Sequence, residues 1–209
     1  ALTNMKEETP HWDFEQVKAD AKANWNRELN KVQLSSEDED ELTNFYTAMY
    51  HAFLGPTEYM DTDGKYMGLD MNVHEADGFT NYTSFSLWDT YRALHPLFNV
   101  LQPERNADMA ESMMAHYDQS VHTMLPVWSH YANENWCMIG YHSASVLADA
   151  IVKGNADFDQ EHALEAMVNT ARTRYYDGLG YYMDMGYVPE DKNGSSVSKT
   201  LEYAYDDWA

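Results

Sequence analysis

Residues 74–96 read HEADGFTNYTSFSLWDTYRALHP. Polar and aromatic residues crowd the first half, and the second half acquires an apolar face at helical spacing, so a chemically rich loop is delivered onto a rigid element. Within it Trp88 and Asp89 are the strongest candidates for ligand contact. An indole offers a flat apolar face to a pyranose ring, and a neighbouring carboxylate can accept hydrogen bonds from two hydroxyls. His74-Glu75 opens like a zinc-binding helix, but the fifth position is Gly78 where that motif requires His. Shortly upstream, Asp61, Asp63 and Gly64 hint at a calcium loop. An EF-hand needs a further oxygen ligand before its glycine and a bidentate Glu at the end, and neither is present, so the cluster reads as a turn.

Working outward, residues 57–82 lack a helical period. The runs 65–69 and 71–73 flank turn residues, which predicts an irregular excursion with a β-hairpin. Upstream, Phe14, Val17, Ala21, Trp25, Leu29 and Val32 recur at steps of three and four, an amphipathic helix over 13–32 started by Pro10 and Asp13. A second helix over 36–54 would be capped at Ser35-Ser36, open with an acidic turn, bury Leu42, Phe45, Tyr46, Met49, Tyr50 and Phe53, and stop at Gly55-Pro56.

A third helix covers 84–101, with Pro96 predicting a kink or break, and a fourth starts at Pro103 and continues through Met109, Met113, Met114 and Tyr117. These methionines read as core filler rather than metal ligands. The stretch 125–136 reads as an aromatic, amide-rich loop leading straight into a fifth helix over 137–153. A sixth spans 159–175 after an acidic start at Asp157 and Asp159, a long loop follows, and a final helix occupies 198–208.

The expected fold class is therefore all-α, built from antiparallel helix pairs. Short connections follow the first and fourth helices and precede the sixth; long aromatic loops precede the third, fifth and seventh. Helical hairpins closed into a ring would gather those loops at one end, as in an α/α toroid.

The 209 residues carry 35 acidic and 13 basic side chains, a formal charge of −22 that excludes nucleic acid and anionic membranes as partners. It suits a neutral ligand or a cation, or else simply a solvated acidic surface. The aromatic share of 14%, with 16 Tyr and 6 Trp, fits carbohydrate handling and dense helix packing equally well. Cys137 is the lone cysteine, so no intrachain disulfide and no multi-thiolate metal site can form. No apolar run reaches the roughly 18 residues of a membrane span, and the N-terminus shows no signal-peptide pattern.

Four stretches together resemble glycoside hydrolase family 92, the calcium-dependent α-mannosidases: FYTAMYHAFLGP (45–56), GFTNYTSFSLWDTYRALHPL (78–97), NENWCMIGYHS (133–143), and GYVPED (186–191) followed by SVSKTLEYAYDDW (196–208). The resemblance implies part of an (α/α)6 catalytic domain, residues 1–209, lacking a preceding β-sandwich domain and the C-terminal half of the toroid. It implies an inverting exo-hydrolase of α-mannosides such as those of N-glycans, periplasmic or secreted by a bacterium. Inversion sets an acid and a base about 6.5 to 9.5 Å apart around the scissile bond.

The family's general acid and base lie in Glu-Gly-Asn-Ala-Trp-type and Gly-Asn-Asp-Asp-type motifs, neither of which occurs here. No catalytic residue is expected in this segment, therefore, and calcium would take its ligands mostly from outside it. The implied partners are a mannose-containing glycan and the missing half of the chain's own catalytic domain. The implied substrate-binding residues are Trp88, Asp89, Asn133, Glu134, Cys137, His142 and Glu202. From the residues alone, Cys137 reads as a small buried thiol and Glu134 as a solvated loop carboxylate. Glu202, Tyr205, Asp206 and Asp207 form an acidic, aromatic cluster on the last helix, equally compatible with a structural network. The competing reading is a non-enzymatic carbohydrate-binding or helical scaffold fragment.

Overall fold

The computed structural model describes residues 1–156 and 158–209; Asp157, expected to open the sixth helix, lies outside them. The chain forms two compact units, residues 1–56 with 61–63, and residues 57–60 with 64–209.

The first unit holds α1 (Leu2–Glu8), α2 (Phe14–Leu29) and α3 (Glu39–Ala52). Asp13 starts α2 by accepting from the Glu15 and Gln16 amides, as its position suggested. Asp38 caps α3 in the same way, so that helix begins at Glu39 rather than at the serines. Ser36 instead braces the cap from outside, its hydroxyl accepting from the Asp38 amide and donating to Glu41. The short α1 carries too little apolar period to announce itself. Its Asn4 amide donates to Asp61, and its carbonyl accepts from Thr62, so Asp61 serves a structural contact.

Helices α2 and α3 meet where Trp25 packs on Tyr50, with centroids 4.5 Å apart. The expectation of a deeply buried face fails here: α2 buries no residue and α3 only Met49. A two-helix seam covers a narrow strip of each apolar face, too little for stripes of this width.

The second unit begins with four short strands, β1 (Thr57–Glu58), β2 (Lys65–Met67), β3 (Val73–Glu75) and β4 (Tyr82–Thr83). The hairpin β2–β3 pairs antiparallel, Tyr66 opposite His74, close to the expected runs. Its turn is pinned by Asp70, whose carboxyl is held at about 2 by hydrogen bonds from Asn72 and His74. The β1–β4 pair, Thr57 opposite Thr83, ties off the whole excursion at its base just ahead of Trp88. Two-residue strands leave no alternation to read from sequence.

The stretch expected as one helix is two: α4 (Leu87–Thr90) and α5 (Leu94–Leu101). The break falls before Pro96, not at it. Proline sits in the first turn of α5, where its missing N–H has no partner to lose, and the chain bends at Ala93 to accommodate it.

Helix α6 (Pro103–Gln119) buries Met109, Met113, Met114 and Tyr117 as expected. Helix α7 (Ser143–Val152) starts six residues later than expected, at Ser143 rather than Cys137. Trp136, Met138 and Gly140 all have positive φ, and left-handed residues at alternate positions cannot propagate a right-handed helix. Helix α8 (Gln160–Ala171) is capped by Asp159, whose side chain accepts from Glu161 and His162 amides. The expected long loop contains α9 (Leu179–Met185), bracketed by left-handed Gly178 and Gly186, and α10 (Ser196–Trp208) follows. Slightly over half the chain is helical and the small sheets are antiparallel, so helix-rich is the accurate class.

One core cluster matters most for the site. Met124, Val127, Tyr141, Ala144, Tyr176, Leu179, Val188 and Tyr203 pack together, drawing the 125–142 loop, α7, α9 and α10 to one point. Tyr141 stacks on Tyr203 with centroids 5.4 Å apart. Each tyrosine is the chain neighbour of a candidate residue, His142 and Glu202 respectively, so the core fixes where those two side chains stand.

Candidate functional site

On α10 the four-residue spacing of Glu202 and Asp206 puts both carboxylates on one face, directed at His142. His142 is 1% exposed. Its Nδ1 lies 2.8 Å from Asp206 Oδ1, and Asp206 also accepts from the Tyr141 amide at 2.8 Å and the Ser145 hydroxyl at 2.6 Å. An imidazole whose Nδ1 faces a carboxylate in this way has its orientation set. The Tyr91 ring stacks on it at 3.9 Å, nearly parallel. Behind it Gly140, at φ +83, offers no side chain; a Cβ there would collide with the imidazole Nε2.

His142 Nε2 is 3.3 Å from Glu202 Oε2, in ion-pair range but out of line for a hydrogen bond. Glu202 is otherwise fully engaged: Oε2 accepts from Tyr91 Oη at 2.8 Å, and Oε1 from Arg92 Nη2 at 2.7 Å. Burial alone would raise its pKa, but the hydrogen bonds from Arg92 and Tyr91 and the nearby positive charge bring it below the usual carboxylate value. Tyr91 is correspondingly raised, by burial first and then by the carboxylate it faces.

Arg92 reaches back along the chain, Nε donating to the Trp88 carbonyl at 3.0 Å. Its guanidinium lies 5.2 Å from the Trp88 ring centroid and 4.7 Å from that of Tyr91. Trp88 is half-buried, one side covered by that guanidinium, its indole Nε1 enclosed without an acceptor.

Asp89 is exposed, at the outer edge of α4. Its Oδ2 accepts from the Ser86 hydroxyl at 2.5 Å, and the same hydroxyl accepts from Trp128 Nε1 at 2.8 Å. The Phe85 amide donates to the Ser129 carbonyl, so the 125–136 loop is sewn to the segment that carries Trp88 and Asp89.

Within that loop the Glu134 side chain, 5% exposed, is enclosed rather than solvated. Its carboxylate accepts from the backbone amides of Val127, Trp128 and Trp136 at 2.9 to 3.0 Å. Burial pushes its pKa up more than those donors pull it down. Near it lies His116, Nε2 at 3.6 Å, held at about 3 by burial and neutral. Asn133 is exposed at the loop tip, donating to Asn135 at 3.3 Å. Cys137 is exposed, not the small buried thiol expected, because the left-handed backbone on either side of it keeps it out of α7.

Two groups thus emerge from the seven expected residues. Trp88, His142 and Glu202 meet through Tyr91 and Arg92; Asp89 and Glu134 are joined through Ser86 and Trp128; Asn133 and Cys137 stand apart on the surface. Tyr91 and Arg92 were missed although they lie in the opening stretch, where WDTYR places an aromatic and a cation within one turn of Trp88. Ser86 was signalled by its spacing, three residues before Asp89, a helix-start pattern.

Among the described residues no group of three or more His, Cys, Asp or Glu is arranged to hold a metal ion. None of the described helices is long and apolar enough to cross a membrane.

The model of the glycosyl hydrolase family 92 catalytic domain matches residues 1–209. A family GH92 α-mannosidase from Bacteroides thetaiotaomicron superposes with a TM-score of 0.95 at 57% identity, over 100% of this chain and 28% of that one. The same enzyme has been solved with mannoimidazole. A family GH92 inverting mannosidase from that organism gives a TM-score of 0.92 at 35% identity, over 100% of this chain and 29% of its own. A curated fungal relative from Arthroderma benhamiae, described as an uncharacterized secreted glycosidase, is 26% identical over 228 residues, covering 100% of this chain and 25% of the relative. The chain therefore spans under a third of the length of the relatives it matches.

Proposed function

Because the chain belongs to glycosyl hydrolase family 92, we propose that it is a segment of an inverting exo-α-mannosidase that acts on α-mannosides such as those of N-glycans. The segment forms part of an (α/α)6 toroid, preceded in the complete enzyme by a β-sandwich domain and completed by further helices. It contributes sugar-holding residues, Trp88 and Asp89 foremost. The observation that carries this reading is the edge of α4, where a half-buried indole is followed directly by an exposed carboxylate braced by Ser86.

Proton transfer belongs elsewhere in the complete enzyme. A general acid or base must turn a carboxyl oxygen toward the scissile bond or its water. Glu134, Glu202 and Asp206 have theirs taken up by backbone amides, Tyr91, Arg92, His142 and Ser145. Calcium in the complete enzyme takes its ligands mostly from outside this segment; among the described residues no group of three or more His, Cys, Asp or Glu is arranged to hold it. A secreted or periplasmic location suits such substrates, and the description of the Arthroderma benhamiae relative as secreted supports the first of these.

The test is Asp89→Ala in the complete enzyme, read as mannose binding and as turnover of an aryl α-mannoside. A loss of roughly a hundredfold in kcat/KM is expected. Unchanged affinity and turnover would reject the site. Inversion is checked separately by NMR: the first-formed product must be β-mannose. The 209-residue chain alone is expected to leave the aryl mannoside intact.

A further inference from the structure

The sugar-holding reading leaves Arg92 without a task, yet its placement is highly specified. A guanidinium has five N–H donors in a rigid fork. Two are used here, Nε on the Trp88 carbonyl and one of Nη2 on Glu202, which leaves three. The side chain is 46% exposed, which leaves room for a ligand to reach those donors. Asp89 stands three residues before Arg92 in the chain, and it too is exposed. Asp89 and Arg92 thus offer an acceptor and a donor within one turn of Trp88, the complement of two adjacent hydroxyls on a pyranose ring.

What holds the fork is equally specific. Glu202 fixes Nη2; Tyr91 and His142 fix Glu202; Asp206 fixes His142. A surface arginine held only for stability needs no such backing, since exposed ion pairs contribute about 0 to 1 kcal/mol.

Building on the sugar-site reading above, we propose that Arg92 is a substrate-contacting residue. Its remaining N–H groups donate to the oxygen of one sugar hydroxyl while Asp89 accepts from the neighbouring one. Glu202, His142 and Asp206 are positioning residues for that fork.

The experiment uses the complete enzyme and equilibrium binding of mannose, which as the product is not consumed, beside the set of monodeoxymannoses. In the wild type, the analogue lacking the hydroxyl that meets Arg92 should bind roughly ten- to a hundredfold more weakly than mannose. In Arg92→Ala, mannose should weaken by a similar factor, and that one analogue should bind as well as mannose while the other penalties persist. A stabilising role alone would not erase the penalty of a single hydroxyl. Arg92→Lys, which keeps the charge without the fork, supplies the same comparison should the alanine variant not fold. Wild-type mannose affinity, or all the wild-type penalties retained, in the folded variant overturns the proposal. Asp89→Ala run in parallel separates the two readings. If it too leaves affinity unchanged, the sugar site itself is wrong; if it alone weakens binding, only the role of Arg92 is.

Discussion

The loop that holds Glu134 and the helix that holds Glu202 put the same functional group to opposite uses. Glu134 is surrounded by the amides of its own loop, and its carboxylate is the template on which residues 127–136 are wound. Glu202 projects from a helix and takes its donors from another segment, the side chains of Tyr91 and Arg92. The first organises backbone; the second aims a cation. Their titrations diverge accordingly, Glu134 raised by burial and Glu202 lowered by its partners.

Removing Glu134 should therefore have the larger effect. Glu134→Ala strands several buried amides, and unfolding of the complete enzyme should be easier by about 3 to 5 kcal/mol. Amide hydrogen exchange at Val127, Trp128 and Trp136 should rise locally; unchanged exchange there would show that the carboxylate is not the template. Glu202→Gln keeps an acceptor for Tyr91 and removes the charge that holds Arg92. It should lower the melting temperature far less than Glu134→Ala does and weaken mannose binding by roughly three- to tenfold. A large drop in melting temperature with affinity intact would collapse the distinction between the two carboxylates.

Acid should separate them by sign. A depressed carboxyl such as Glu202 contributes stability above its unfolded value, near 4.5, and loses it as pH falls through the folded one. A raised carboxyl such as Glu134 makes a contribution that is complete below 4.5 and declines as pH rises through its folded value. Wild type should thus gain on Glu134→Gln as pH is lowered from 7 toward 4, and should lose ground to Glu202→Gln below about 4.5. Thermal unfolding of the three proteins across that range checks both slopes. At the small end, Asn133→Ala, on the same loop but outside its amide cradle, should shift stability by less than about 0.5 kcal/mol.

How far the chain could be read follows the same division between local and distant causes. Helix α6 was legible because its methionines sit on one face and its proline marks its start; the caps at Asp13 and Asp159 were legible because they act within three residues. The burial of α2 was not, since periodicity states that a helix has an apolar side and not whether anything covers it. The late start of α7 depended on three left-handed residues, only one of them a glycine, a conformation that Trp136 and Met138 do not advertise. In the site, Trp88 and Asp89 stood out by chemistry, and the family resemblance drew attention to His142 and Glu202. Their assembly rests on pairs more than sixty residues apart, Tyr141 on Tyr203 and His142 on Asp206, which no local pattern encodes.

The bare backbone at Gly140 has one more implication, for anyone who mutates this region systematically. His142 occupies the room a side chain at 140 would need, so the two positions share a single volume. Even alanine at 140 must evict the ring, and with it the stack on Tyr91 and the contact with Asp206. A saturation library should thus show position 140 as intolerant as any ligand contact, although it touches no sugar. Loss of stability there should be rescued, in part, by a smaller residue at 142, a pairwise signature that distinguishes shared space from direct recognition.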